Sequence, residues 1–175
     1  MLTKNINFKD FFLSKSSKKI SNIFKKLIKQ DNEILKSLKK TYNDSYKKKT
    51  ISKIKNFSEV LIIGMGGSVL GARSIHSFLK NKVKKKFYFV DDLDSIKKID
   101  KSKKKKLYNI ISKSGNTLET LVNFFSFNIK KKNSKNIIII SEKFTNPLYS
   151  LSQKMKLYYI EHKNYIGGRY SVLSE

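Results

Sequence analysis

The chain has 175 residues, 39% hydrophobic and 30% charged, with no cysteine and a formal net charge of +26. That length supports one domain with a real core, or a domain plus a helical appendage, and the missing cysteines exclude disulfides and thiolate metal sites, which suits a reducing cytoplasm. No apolar run approaches the roughly 18 residues that cross a bilayer, and the N-terminus lacks the apolar core and cleavage site of a secretory signal, so no membrane partner is expected.

The charge invites a nucleic-acid reading, and the composition argues against it. Arg73 and Arg169 are the only arginines. The other basic residues are lysine, accompanied by heavy use of asparagine and isoleucine, as AT-rich coding produces. Proteins that grip nucleic acid favour arginine for bidentate contacts. The lysines therefore read as a solvated surface, and no specific nucleic-acid partner is expected.

In chain order, residues 1–56 read as an α-helical N-terminal extension. Ile20, Ile23, Phe24, Leu27 and Ile28 fall on one helical face, and Ile34, Leu35 and Leu38 continue an apolar stripe. Two amphipathic helices packing their stripes on neighbours is the expectation. Tyr42 to Asn56 reads as a polar, partly helical connector. Val60-Leu61-Ile62-Ile63 is then a strand too apolar to have a wet face. It enters a glycine loop, Gly64-Met65-Gly66-Gly67-Ser68, and a helical pattern through Leu70, Ile75, Phe78 and Leu79. Phe87–Val90 is a second strand ending in Asp91-Asp92, and a short helix is predicted near Ser95–Ile99. After the lysine run at 103–106, Leu107–Ile111 is a third strand, followed by helical spacing of Leu118, Leu121, Val122, Phe124 and Phe125. Asn136–Ile140 is a fourth strand. Thr145-Asn146-Pro147 caps the next helix, and Leu157–Ile160 is a fifth strand.

Five buried strands alternating with helices specify an α/β three-layer sandwich, a five-stranded parallel sheet with helices on both faces, over residues 57–175. Such sheets bind ligands at the carboxyl ends of their strands. That rule places the Gly64–Ser68 loop, the Ser112–Thr117 loop and the Gly167-Gly168-Arg169 turn on one rim. The second loop is the most telling. Strand, small polar loop and helix follow one another, so Ser112, Ser114 and Thr117 offer hydroxyls beside the free N–H groups of a helix start. Gly115 permits close approach of a ligand and Lys113 adds charge. Physically this is a phosphate cradle. The glycine loop matches a dinucleotide fingerprint only in part, because Val69 stands where the third glycine belongs, although Asp91 lies where a ribose-binding acid would. No Walker loop occurs.

The motifs Val60–Ser68 with Leu70-Gly71-Ala72-Arg73, then Ile111-Ser112-Lys113-Ser114-Gly115-Asn116-Thr117-Leu118-Glu119, then Gly167-Gly168-Arg169-Tyr170-Ser171 resemble the bacterial members of the phosphoglucose isomerase family. The middle motif alone supports only a sugar-isomerase (SIS) type domain; the last is the more specific. The resemblance covers about residues 58–175. It implies interconversion of glucose 6-phosphate and fructose 6-phosphate with no cofactor and no metal, in a protein that is a homodimer at full length. It assigns the sugar phosphate to Ser112, Lys113, Ser114, Gly115, Asn116 and Thr117, and the substrate-lining loop to Gly67 and Ser68. It makes Arg169 the catalytic residue that supports charge on the enediol intermediate. Asn116 departs from the family's common threonine but keeps a hydrogen-bond donor.

The family's proton-transfer glutamate, ring-opening histidine and a later lysine lie downstream of the Gly-Gly-Arg motif, and this chain ends six residues after Arg169. The expectation is the N-terminal portion of a longer enzyme, truncated within its first SIS domain and inactive alone. A non-catalytic SIS module that binds phosphosugars as a regulator is the alternative. Glu161 and His162 follow the fifth strand and lie near the right rim for proton transfer, but a solvated loop pair is the preferred reading. Glu119 reads as favourable charge in a first helical turn. His76 reads as a surface or packing residue.

Overall fold

The computed structural model of the chain describes residues 17–37, 39–43, 45–95, 99, 105–127 and 131–173. At its centre lie β1 (Glu59–Gly64), β2 (Lys86–Val90), β3 (Lys106–Ile111), β4 (Ile137–Ser141) and β5 (Tyr158–Glu161). They form one sheet in the order β2-β1-β3-β4-β5, and every neighbouring pair is parallel. Successive side chains point to opposite faces. Val60, Ile62, Leu107, Ile138 and Ile140 therefore join one buried cluster, and Ile63, Ile110, Ile137 and Ile139 the other. Both faces are covered, which is why these strands read as unbroken apolar runs rather than as alternating ones.

Helices α3 (Lys48–Ile54) and α4 (Gly67–Phe78) cover the first face, and α5 (Leu118–Ser126) and α6 (Pro147–Met155) the second. Val69 and Ala72 bring α4 onto the first cluster, while Phe124 and Leu148 seat α5 and α6 on the second. The expected helices form, but two pack by other residues than their large apolar ones. Leu70, Ile75 and Phe78 of α4 are exposed, as are Leu118, Val122 and Phe125 of α5. Small residues at the start of α4 let it lie close to the sheet. Asn123 turns α5 by donating from Nδ2 to the Asp92 carbonyl at 3.1 Å.

The connector at 42–56 folds partly as α3 and takes part in the core. Buried Thr50 donates its hydroxyl to the Tyr158 hydroxyl at 2.5 Å. The lysine run is not all surface either. Lys106 lies inside β3, buried, with its Nζ 3.4 Å from Glu59. Upstream lie α1 (Lys18–Ile28) and α2 (Glu33–Ser37). The stripe packing expected of α1 does not occur among the described residues. Ile20, Ile23, Phe24, Leu27 and Ile28 are all exposed, because no described element lies over them. Leu38 and most of the helix predicted near 95–99 lie outside the described residues.

Candidate functional site

The carboxyl ends of β1, β3 and β5 carry the three predicted loops, and close contacts join them. A Cβ on Gly67 would stand 2.9 Å from the Arg169 backbone nitrogen and 2.9 Å from the Gly168 carbonyl carbon. The glycine loop and the Gly-Gly-Arg turn therefore touch backbone to backbone, and only a residue without a side chain fits between them. The turn continues as a 3₁₀ helix, Gly168–Leu173, held by donation from Ser171 Oγ to the Gly168 carbonyl at 2.9 Å. Arg169 itself is exposed at this rim.

In the second loop, Ser112 is 1% exposed and its Oγ lies 2.9 Å from Thr117 Oγ1. The Gly115 amide donates back to Ser112 Oγ at 3.2 Å. Thr117 occupies the N-cap position of α5, yet its hydroxyl turns to Ser112 and caps nothing. The same holds at α4, where Gly66 has no side chain to offer. The start of α5 thus presents uncapped amides and the positive end of its dipole on the rim, whereas at α4 the Ser68 and Val69 amides donate to the carbonyls of Met65 and Gly66 at 3.1 and 3.0 Å. The third helix differs. Asn146 caps α6 by accepting from the Tyr149 amide at 2.8 Å. Its Nδ2 donates to the carbonyls of Glu142 and Phe144 at 2.9 and 3.0 Å, so this side chain is consumed as a structural pin.

Lys113 is a strut across the rim. Its Nζ donates to the Asn164 carbonyl at 2.9 Å and stands 3.4 Å from Glu142, while the Glu142 amide donates to the Lys113 carbonyl at 2.9 Å. Gly115 is buried at φ 66°, packed under Asn146. Asn116 is exposed and Ser114 half-buried. Of the predicted site residues, Ser112, Gly115 and Thr117 are joined by hydrogen bonds, and Gly67 meets Arg169 by contact. Lys113 is tied to β4 and the turn after β5, while Ser68 lines a cavity beside Gly67.

The position that a ribose-binding acid would occupy is already engaged. Asp91 Oδ2 lies 2.7 Å from Arg73, whose guanidinium sits over the Phe89 ring. His76 packs at 4.9 Å from the Phe87 ring, as a packing residue.

The reading of Glu161 and His162 as a solvated pair holds for Glu161, whose side chain is 42% exposed, and is corrected for His162. His162 is only 4% exposed. Its amide donates to the Ser141 carbonyl at 2.8 Å, which extends the strand ladder by one residue and turns the ring inward. Counting by twos from Tyr158 and Ile160 puts residue 162 on the buried face, a signal that was present in the sequence. Burial pushes the imidazole below its ordinary value of 6.5, and Lys113 adds to the shift.

The model of the family described as phosphoglucose isomerase matches residues 14–175. The chain belongs to the phosphoglucose isomerase family. A probable glucose-6-phosphate isomerase of Methanococcus maripaludis is 38% identical over 134 residues, covering 69% of this chain and 30% of that protein. The glucose-6-phosphate isomerase of Treponema denticola is 32% identical over 184 residues, covering 98% of this chain and 31% of its own length. The chain thus spans less than a third of the length of these phosphoglucose isomerases. Among solved structures, a hypothetical protein from Thermus thermophilus shares the fold with a TM-score of 0.62 at 24% identity, over 71% of this chain and 33% of that one. The tagatose-6-phosphate ketose/aldose isomerase of Escherichia coli does so at 0.54 and 12% identity, over 72% and 37%. These two likenesses concern the α/β sugar-isomerase fold alone. Among the described residues, no helix is long and apolar enough to cross a membrane.

Proposed function

We propose that this chain supplies the phosphosugar-binding part, residues 57–175, of a cytoplasmic, homodimeric isomerase that interconverts glucose 6-phosphate and fructose 6-phosphate. One observation carries the reading. The Thr117 hydroxyl forgoes its own helix to meet Ser112, leaving the amides of the α5 first turn open beside two hydroxyls. A phosphate dianion seated there gains charge-assisted hydrogen bonds and the helix dipole together.

In this reading the phosphate rests on Ser112, Ser114, Gly115, Asn116 and Thr117. Lys113 holds the loop in shape and adds positive potential, and Gly67 and Ser68 line the sugar. Arg169, exposed on the same rim, faces the oxygen on which charge develops as the enediol forms, where a guanidinium stabilises the transition state more than the ground state. Moving a proton between adjacent carbons also needs a carboxylate. Glu142 is engaged by Lys113 at 3.4 Å, and Glu161 pairs with Lys163 at 3.8 Å. The reading therefore gives this chain binding and charge stabilisation, and gives proton transfer to the part of the relatives' length it does not span.

Calorimetric titration tests the assignment, with fructose 6-phosphate, inorganic phosphate and NAD as ligands. Heat for the sugar phosphate and for phosphate is expected, and none for NAD. Replacing both Ser112→Ala and Thr117→Ala removes two hydroxyl contacts to a charged group and should weaken phosphate and sugar-phosphate binding about 10- to 100-fold. An unchanged affinity in a variant whose circular dichroism matches the parent sinks the cradle assignment, and heat for NAD alone points to a dinucleotide site.

A further inference from the structure

The Gly-Gly-Arg turn follows β5 at one edge of the sheet, yet it ends against the glycine loop after β1, three strands away. At about 4.8 Å per strand this crossing covers roughly 14 Å, in the irregular segment 162–167 between β5 and the 3₁₀ helix. Its anchors follow the strand order. The His162 amide donates to the Ser141 carbonyl at the end of β4, at 2.8 Å. Lys113 Nζ, on the loop after β3, donates to the Asn164 carbonyl at 2.9 Å, and Gly67 after β1 packs against the Arg169 backbone. Among the described residues, the Lys113 bond is the one hydrogen bond that ties 163–167 to another element.

Lys113 is well placed to hold the crossing. The Glu142 amide donates to its carbonyl at 2.9 Å, and Glu142 is itself pinned by Asn146 Nδ2, so the base of the strut is fixed. The Glu142 carboxylate, 16% exposed and 3.4 Å from Nζ, aims the ammonium. Only the lysine stem must then be ordered to make a charge-assisted hydrogen bond. The same residue stands between Ser112 and Ser114 of the cradle. Closure of that loop on a phosphate therefore moves the anchor of the Arg169 crossing.

We propose that Lys113 is a positioning residue that couples the phosphate cradle to the Arg169 turn, so that filling the cradle sets the guanidinium over the far end of the sugar. This rests on the phosphosugar reading above and adds to it a link between its two halves. The link is reciprocal, and an oxyanion held by Arg169 tightens phosphate in the cradle.

The test uses the full chain labelled with ¹⁵N-arginine, whose two arginines give two backbone amide signals, with Arg73 inside α4 as internal reference. Inorganic phosphate is the first probe. The second is 6-phosphogluconate, whose C1 carboxylate puts an oxyanion where charge develops. At saturating phosphate the Arg169 amide of the parent should shift while that of Arg73 stays in place. Calorimetry should show 6-phosphogluconate bound about tenfold more tightly than phosphate, as one carboxylate on a guanidinium allows. In Lys113→Met, again at saturation, the Arg169 shift should vanish and the affinity ratio should fall about three- to fivefold, the scale of a partly exposed charged contact. Lys113→Arg, which keeps charge and donors, should restore part of both. A full-sized Arg169 shift in Lys113→Met means that phosphate acts on the turn directly and overturns the strut. An undiminished ratio in that variant overturns it too, as does a parent Arg169 amide indifferent to bound phosphate. Should Lys113→Met fail to fold, the parent's Arg169 response decides alone. Absence of phosphate binding in the parent is a different result, which removes the cradle and the reading built on it.

Discussion

Gly115 shows how strictly the rim constrains a single residue. Its φ of 66° lies in the left-handed region, and a Cβ there would run into the carboxamide of Asn146, itself 4% exposed and committed to three hydrogen bonds. Gly115→Ala adds a backbone cost of about 1–2 kcal/mol to the displacement of a buried neighbour of about 1–3 kcal/mol. We expect a loss of about 2–4 kcal/mol in urea unfolding, together with weaker phosphate binding, because the Gly115 amide reaches Ser112 Oγ. A variant within about 0.5 kcal/mol of the parent would show that the loop yields freely and that the glycine serves no packing purpose. Lys113 is a different kind of residue. The sequence presents it as a charge for the ligand, whereas the structure spends its Nζ on the Asn164 carbonyl and Glu142. No pattern in the sequence signals that, since both partners lie far along the chain, on the turn after β5 and at the end of β4.

At the scale of elements, α6 offers the cleanest separation of local from tertiary contributions. Asn146 caps the helix through Oδ1 and pins the preceding loop through Nδ2. Asn146→Asp keeps the acceptor and loses both donations, while Asn146→Ala loses everything. The cap is worth about 0.5–2 kcal/mol and each net hydrogen bond about 0.5–1.5 kcal/mol. Unfolding experiments should therefore rank parent, Asp and Ala in that order, and an Asp variant as unstable as Ala would mean that the loop pins dominate. A cap was legible in Thr145-Asn146-Pro147, because capping is local chemistry, and the structure assigns it to Asn146 rather than Thr145. The strands were legible for a related reason. A strand buried on both faces is apolar whatever lies above it, so Leu61, Ile63 and Ile139 announce themselves. The three rim loops were placed together by the parallel topology, since strand ends in such a sheet share one edge. Helix faces were not legible. Leu118 and Phe125 look like core and are exposed, whereas Thr120 and Asn123 are fully buried, because the facing surface and not hydrophobicity selected them. His162 was missed because composition around it reads as loop, although the two-residue strand period continues through it.

For the whole molecule, charge and protonation act on stability in ways that salt separates. The 39 basic residues, against 13 acidic ones, repel one another in the folded state. Raising salt from about 0.1 to about 1 M shortens the screening length from about 10 Å to about 3 Å, so the thermal midpoint should rise by several degrees. Protonation adds a second effect centred on His162. Burial is the main cause of its lowered pKa, with Lys113 in the same direction, and the Lys163 carbonyl and Glu142 opposing it. The folded chain therefore binds fewer protons at this site than the unfolded chain just below 6.5. Stability is complete above that pH and falls as the pH drops through the window between the unfolded value and the lower folded one. Carboxylates of ordinary pKa near about 4 titrate little there. Unfolding free energies measured from about pH 7.5 to about pH 5 should slope downwards in the parent and flatten in His162→Phe. The slope should also persist at about 1 M salt, because burial is not screened as surface repulsion is. A slope that salt abolishes, or one that survives the substitution, would assign the pH dependence to the lysine surface instead of the buried imidazole.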